Sequence, residues 1–345
     1  MTVFNLPIEN LEERYSSQWN IGFPKEFEAL HVPYVTVYPD SYEDGWIKNG
    51  QFLDVVQTNI FKSLQMAQLL HHINLGEIKD GDVLFFHDLW NPCLEMLFYV
   101  RDGLGVDFKI AGLLHAGTYD PCDFLTQKGM GRWAALIEKA WCTEVDAIFM
   151  ATQAHHDLLL NSGRVSQPPN KIYISGFPLF QQPEDVPLEE KKNIVVFPHR
   201  LAPEKGTLDF DLLKAACSPH LPGWEFIRTK DVCQNKQEYY SLLRRSKIAV
   251  SCALQETWGI AQQEALFHGC LPVVPSRLSY KEMYHQRYQY QTLEQARNKI
   301  IHFAKNYDWL VKEFAFLNTV NRCAIRSDQA ITNMVMIMRQ QEWHV

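Results

Sequence analysis

The residues best suited to do chemistry are two glutamates, Glu256 and Glu264, in the stretch SKIAVSCALQETWGIAQQEALFHGCLPVVP that spans 246–275. A lone Glu-x7-Glu spacing is common on loops and helix surfaces and carries no meaning by default. Here the spacer Thr257-Trp258-Gly259-Ile260-Ala-Gln-Gln puts a glycine and a helix start directly after the first carboxylate. A helix N-terminus presents free backbone N–H groups to anions, so a phosphorylated ligand fits there. A carboxylate beside a phosphate site makes sense if it grips hydroxyls instead, and those of a sugar or ribose are the obvious candidates.

A second group precedes it. The run NIVVFPHRLAPEKG (193–206) reads as a strand leading into a loop that carries His199, Arg200 and Lys205. A guanidinium grips phosphate as a fork and an ammonium acts as a compact point charge, so the pair is able to neutralise a diphosphate from two sides. Two exposed basic residues on a loop are the commoner situation. Asp209-Phe-Asp211 has the spacing of a metal-holding Asp-x-Asp, but it falls at a helix start, where acidic residues suit the dipole; we read it as capping. No His/Cys cluster has zinc spacing, and no G-x-G-x-x-G follows a strand.

The first half offers weaker candidates. Two short apolar runs each end in a histidine with an aspartate nearby: VLFF before His87-Asp88, and KIAGLL before His115 with Asp120 beyond it. A lone histidine at a strand end is usually structural, yet doubly wound sheets place ligands at these ends. Asp120 and Asp123 also suit turn and cap chemistry. The cluster Arg14-Tyr15-Ser16-Ser17-Gln18-Trp19 has two readings of equal weight, a capped helix start with a packed Trp or an acceptor-binding loop.

Taken together, ETWGIAQQE, RLAPEKG and the later His268-Gly-Cys-Leu-Pro272 resemble the retaining, family 4 type of GT-B glycosyltransferase. The nearest likeness is to the branch that decorates queuosine in tRNA, which also joins a Pro-His-Arg element to Glu-x7-Glu; phage enzymes that glycosylate hydroxymethylated DNA bases are related. The resemblance covers 193–284 most strongly and 109–180 more loosely. It implies a UDP- or GDP-sugar donor, no essential metal or other cofactor, and transfer with retention of configuration. Glu256 would hold the donor sugar and Glu264 the ribose. Arg200 and Lys205 would stabilise the leaving diphosphate, helped by the amides of Thr257, Trp258 and Gly259, and His199 and Ile260 would also bind the donor. His115 would lie near the donor sugar. Arg14, Tyr15, Gln18, Trp19, His87, Asp88 and Asp120 would face the acceptor, for which a modified base in DNA or tRNA is preferred over a glycan, lipid or small molecule. A non-catalytic nucleotide-sugar-binding module shares the same motifs.

The elements that must position these residues follow from the pattern. With 345 residues the chain favours two domains, since single cores rarely grow past about 250–300 residues. Strands alternate with helices in both halves, which implies parallel sheets. The Pro-rich run between Phe180 and Lys191 reads as a linker, giving a first domain over 1–180, a second over 191–328 and a final helix over 329–345. The implied fold is α/β: two Rossmann-like domains facing a cleft, the last helix crossing back to the first. A net charge of −7 argues against a broad nucleic-acid surface while allowing a local basic cleft. Eight cysteines without a C-x-x-C pair, no 18-residue apolar run and no basic-then-apolar leader give the expectation of a cytoplasmic protein without membrane insertion.

Overall fold

The computed structural model describes residues 1–11, 15–40, 42, 54–165 and 171–340. The chain forms two compact units, Met1–Phe180 with Asp328–Val345, and Gln181–Ser327.

The first unit is built on a parallel sheet of β1 (Val3–Leu6), β2 (Tyr34–Thr36), β3 (Val83–Phe86), β4 (Lys109–Leu113), β5 (Ala147–Met150) and β6 (Ile172–Ile174), in the order β2-β1-β3-β4-β5-β6. Apolar runs such as VLFF form its centre because helices cover both faces, and all four of these residues are buried. The order reverses between β1 and β3, so the connections that leave their carboxyl ends run in opposite directions, the place where doubly wound sheets bind ligands. His87 continues β3 at this point, its N–H donating to Leu6 O of β1 at 2.9 Å. The last helix, Ala330–Arg339, belongs to this unit, with its apolar stripe of Ile331, Met334, Val335 and Met338 buried and Arg339 donating to Leu30 O at 2.7 Å.

The second unit has β7 (Lys192–Phe197), β8 (Glu225–Arg228), β9 (Ser246–Val250), β10 (Leu271–Pro275) and β11 (Gln289–Tyr290), also parallel, in the order β11-β10-β9-β7-β8. The switch point of this sheet lies between β7 and β9, and the two motif-bearing loops leave those two strands. Leu254 N–H donates to Glu204 O at 2.8 Å, so the loops are stitched to one another. The close approach demands a glycine: Gly206 has φ +71°, and a Cβ there would lie 2.4 Å from Cys252 O.

Of the two readings of the cluster around Tyr15, the structure has a helix, Tyr15–Ala29, which runs well beyond a helix start. Three further helices lie at Leu94–Leu104, Leu293–Leu310 and Phe314–Asp328.

Candidate active site

In the second unit the β7 loop tightens into a single turn at Pro203–Lys205, which aims Lys205 across the switch point. Lys205 is 6% exposed, and its ammonium donates to Gln255 O (2.7 Å), Gln255 Oε1 (3.3 Å) and Glu256 Oε2 (3.2 Å). The other carboxylate oxygen of Glu256 accepts from the N–H groups of Thr257 (3.2 Å) and Gly259 (3.0 Å). Gly259 sits at φ +76° and opens the helix Ile260–Phe267, so Glu256 fixes the turn that enters that helix while pairing with Lys205. Burial pushes the Glu256 carboxyl up, but Lys205 and the Gly259 N–H outweigh it and hold the group below its usual range. Arg200 forks onto Glu204, Nε to Oε1 at 3.1 Å, and remains one-third exposed. His199 is buried beside Phe197, its Nε2 without a hydrogen-bond partner among the described residues. The structure thus brings Lys205, Gln255, Glu256, Thr257 and Gly259 into one bonded group at the end of β7 and β9. Trp258 is packed under the guanidinium of Arg326, 5.4 Å from the ring centre.

Glu264 is not part of that group. It is 2% exposed, and its oxygens accept from Tyr239 OH (2.8 Å), Tyr240 OH (2.8 Å) and Lys236 Nζ (3.1 Å), all on the helix Lys236–Arg245. These three partners had no signal in the sequence. Glu204 and Gln255 were also unassigned, although both sit inside the motif loops.

In the first unit His115, His87 and the start of the helix Tyr15–Ala29 come together. The His87 carbonyl accepts from His115 Nε2 at 2.7 Å, which leaves Nδ1 as the acceptor for Tyr15 OH at 3.2 Å. His87 Nε2 in turn pairs with Asn5 Oδ1 at 2.7 Å. Trp19 is 1% exposed, walled by Phe23, His115 and Phe177, with its indole N–H on Pro178 O at 3.0 Å. A base cannot stack on Trp19 there, so the packed-Trp reading holds for this residue. Asp88 pairs with Lys62 (3.0 Å) and accepts from Trp90 N–H, while Asp120 accepts from Cys122 N–H at 2.8 Å in a turn. Gln18 lies on the first helix, and Arg14 lies outside the described residues. Among the described residues no three His, Cys, Asp or Glu side chains form a metal-holding group, and Asp211 pairs with Arg228 at 3.1 Å. No described helix is long and apolar enough to cross a membrane.

Three of the histidines carry a pH prediction. Burial holds His87, His155 and His199 down to about 3, and for His87 the neighbouring His115 adds to the effect. As pH falls below 6.5 the unfolded chain takes up protons that the folded chain refuses until about 3. Stability therefore falls over that window by about 1.4 kcal/mol per pH unit for each histidine. Thermal melts at pH 7 and pH 5 are expected to differ by several degrees, the lower pH melting first. Coincident melts would show that these rings are not held neutral.

No protein-family model matches the chain. A curated relative, the tRNA-queuosine alpha-mannosyltransferase of Drosophila melanogaster, is 34% identical over 70 residues, which are 20% of this chain and 19% of that protein. The chain thus matches about a fifth of that relative's length. Among solved structures, the sucrose-phosphate synthase of Thermosynechococcus elongatus superposes with a TM-score of 0.69 at 12% identity, covering 99% of this chain and 98% of the other. A lipopolysaccharide outer core galactosyltransferase in its apo form gives 0.59 at 12%, covering 98% and 100%. These likenesses give the fold: the chain is GT-B.

Proposed function

We propose that this GT-B chain transfers a sugar from a UDP- or GDP-sugar to an acceptor hydroxyl, with retention of configuration. The observation that carries the reading is the Lys205–Glu256 pair at the β7/β9 switch point, 3.2 Å between ammonium and carboxylate. A cation suited to phosphate stands there beside a carboxylate suited to sugar hydroxyls, on loops held by a helix N-terminus and a left-handed glycine. Lys205 and Arg200 stabilise the charge that develops on the leaving diphosphate, the kind of electrostatic help worth most in transfer chemistry. Arg200, the more exposed of the two, meets the diphosphate by exchanging Glu204 for it. Glu256 orients the donor sugar. The incoming hydroxyl loses its proton on the face from which the diphosphate departs. Glu264 serves the ribose by taking a ribose hydroxyl in place of one donor among Lys236, Tyr239 and Tyr240.

For the acceptor we favour a modified nucleobase, on the strength of the partial likeness to an enzyme named for queuosine in tRNA. His115, His87 and Tyr15 are the side chains we assign to the acceptor side. With Trp19 buried, recognition of the base falls to other groups of the first unit. A nucleoside mass analysis tests both halves of the reading. The protein is incubated with UDP- and GDP-sugars and either queuosine-containing tRNA or hydroxymethylated DNA, and the digested nucleosides are weighed. A hexose or pentose gain on one base is expected. Donor consumption with no gain on either nucleic acid would move the acceptor to glycans or small molecules; no consumption would leave a binding module.

A further inference from the structure

We infer that Glu138 is a positioning residue that locks together the two histidine-bearing loops of the first unit. It lies on the helix Gly131–Glu144 and is 3% exposed. Its Oε1 accepts from Thr118 N–H at 2.6 Å and from Trp90 Nε1–H at 3.0 Å. Its Oε2 accepts from Thr118 Oγ1–H at 2.6 Å and from Arg164 Nε–H at 3.3 Å. Thr118 stands three residues after His115, on the loop that leaves β4. Trp90 stands three residues after His87, on the loop that leaves β3. One carboxylate therefore ties both loops to one helix.

The choice of residue fits that task and not simple packing. Four donors converge on this point, and an ionised carboxylate is the side chain that accepts four bonds while offering no donor of its own. Burying a carboxylate is costly without such partners, so a core-filling role would be met more cheaply by an apolar residue. The loop is also drawn tightly over it: a Cβ at Gly117 would lie 2.9 Å from Glu138 Oε1 and 2.5 Å from the Tyr119 ring. The direct bond from His115 Nε2 to His87 O at 2.7 Å depends on the two loops keeping this spacing. The assignment of a catalytic purpose to the clamp rests on the function proposed above; the clamp itself does not.

Glu138→Met tests it, because the thioether keeps the length of the side chain while removing the carboxylate oxygens that accept the four bonds. An amide would not serve, since its oxygen at the Oε1 position still accepts from Thr118 N–H and Trp90 Nε1–H while the Thr118 hydroxyl turns to accept from its NH2. Hydrogen exchange of segments 87–91 and 115–119 is measured alongside transfer kinetics and nucleotide affinity. Both segments are expected to exchange about tenfold faster, together, as a lost buried hydrogen bond implies. Transfer kcat is expected to fall about tenfold or more while UDP or GDP affinity, which the proposed function assigns to the second unit, stays within about twofold. Trp90→Phe removes one arm only and is expected to loosen 87–91 alone, which keeps the test open if the methionine variant does not fold. Unchanged exchange in either segment of Glu138→Met, or in 87–91 of Trp90→Phe, overturns the clamp. Loosened loops with an unaltered kcat overturn its positioning role. Loops that loosen together in a protein whose wild type transfers nothing uphold the clamp and reject the transferase reading instead.

Discussion

A Lys205→Met variant is expected to turn over roughly 10²–10³-fold more slowly at saturating donor, the usual cost of removing one preorganised charge from a leaving group. Methionine keeps the length and apolar stem of lysine, so the change isolates the ammonium. Two further consequences follow from what Lys205 touches. Gln255 O and Glu256 Oε2 lose the donor that sits 2.7 and 3.2 Å from them. Stripping the cation from a largely buried pair costs about 3 kcal/mol, because the remaining charge stays desolvated. The pH dependence separates this from a plain packing defect. In the parent protein the Glu256 carboxyl is held below its usual range, so its contribution is full above the unfolded value and lost as pH falls through the folded one. Without Lys205, burial is opposed only by His199 and the Gly259 N–H, so the folded value rises relative to the parent's, and the variant's deficit is largest at neutral pH and shrinks as pH drops towards the carboxylate range. A variant that melts earlier with that pH pattern but keeps kcat within about threefold would make Lys205 a structural partner of Glu256 and nothing more.

The same loops explain how much of the site was legible in the sequence. RLAPEKG and ETWGIAQQE could be placed because each follows a short buried strand, and strands of parallel sheets deliver their loops to one edge. What the one-dimensional pattern lacked was the pairing order. Only with β7 beside β9 does Lys205 meet Glu256, fifty-one residues later in the chain. Glu264 was assigned to the ribose by the resemblance of ETWGIAQQE, without any sign of its neighbours. Its burial is decided by Lys236, Tyr239 and Tyr240 on a separate helix, and no periodicity within Ile260–Phe267 reports on them. The helix Tyr15–Ala29 was missed for a different reason. Pro24 inside it argues against a helix on local grounds, yet Trp19, Phe23 and Phe27 form one buried stripe whose packing overrides that penalty. That stripe also turned Trp19 from a candidate platform into core. Arg200 shows the opposite case: its partner Glu204 is four residues on, within reach of any local reading, but the motif drew attention to the two cations and away from the acid between them.

Gly206→Ala is the second large effect, and it acts on geometry without touching a charge. At φ +71° an alanine costs about 1 kcal/mol from its backbone alone. The added Cβ would also lie 2.4 Å from Cys252 O and 2.7 Å from Cys252 Cβ. Backbone cannot yield as a side-chain tip can, so the β7 and β9 loops must part. The bonds at risk are those from Leu254 N–H (2.8 Å) and Gln255 N–H (3.3 Å) to Glu204 O, the stitches that bring Lys205 to Glu256. Strain and lost bonds together should destabilise the second unit by about 3 kcal/mol or more. Denaturant unfolding read by the tryptophans Trp224, Trp258 and Trp309 of that unit measures this. A folded Gly206→Ala protein should also lose transfer activity below its melting point while keeping all its charged groups. A variant with parental stability and turnover would mean that the two loops tolerate separation, and the Lys205–Glu256 pair would then not be the feature on which the site depends.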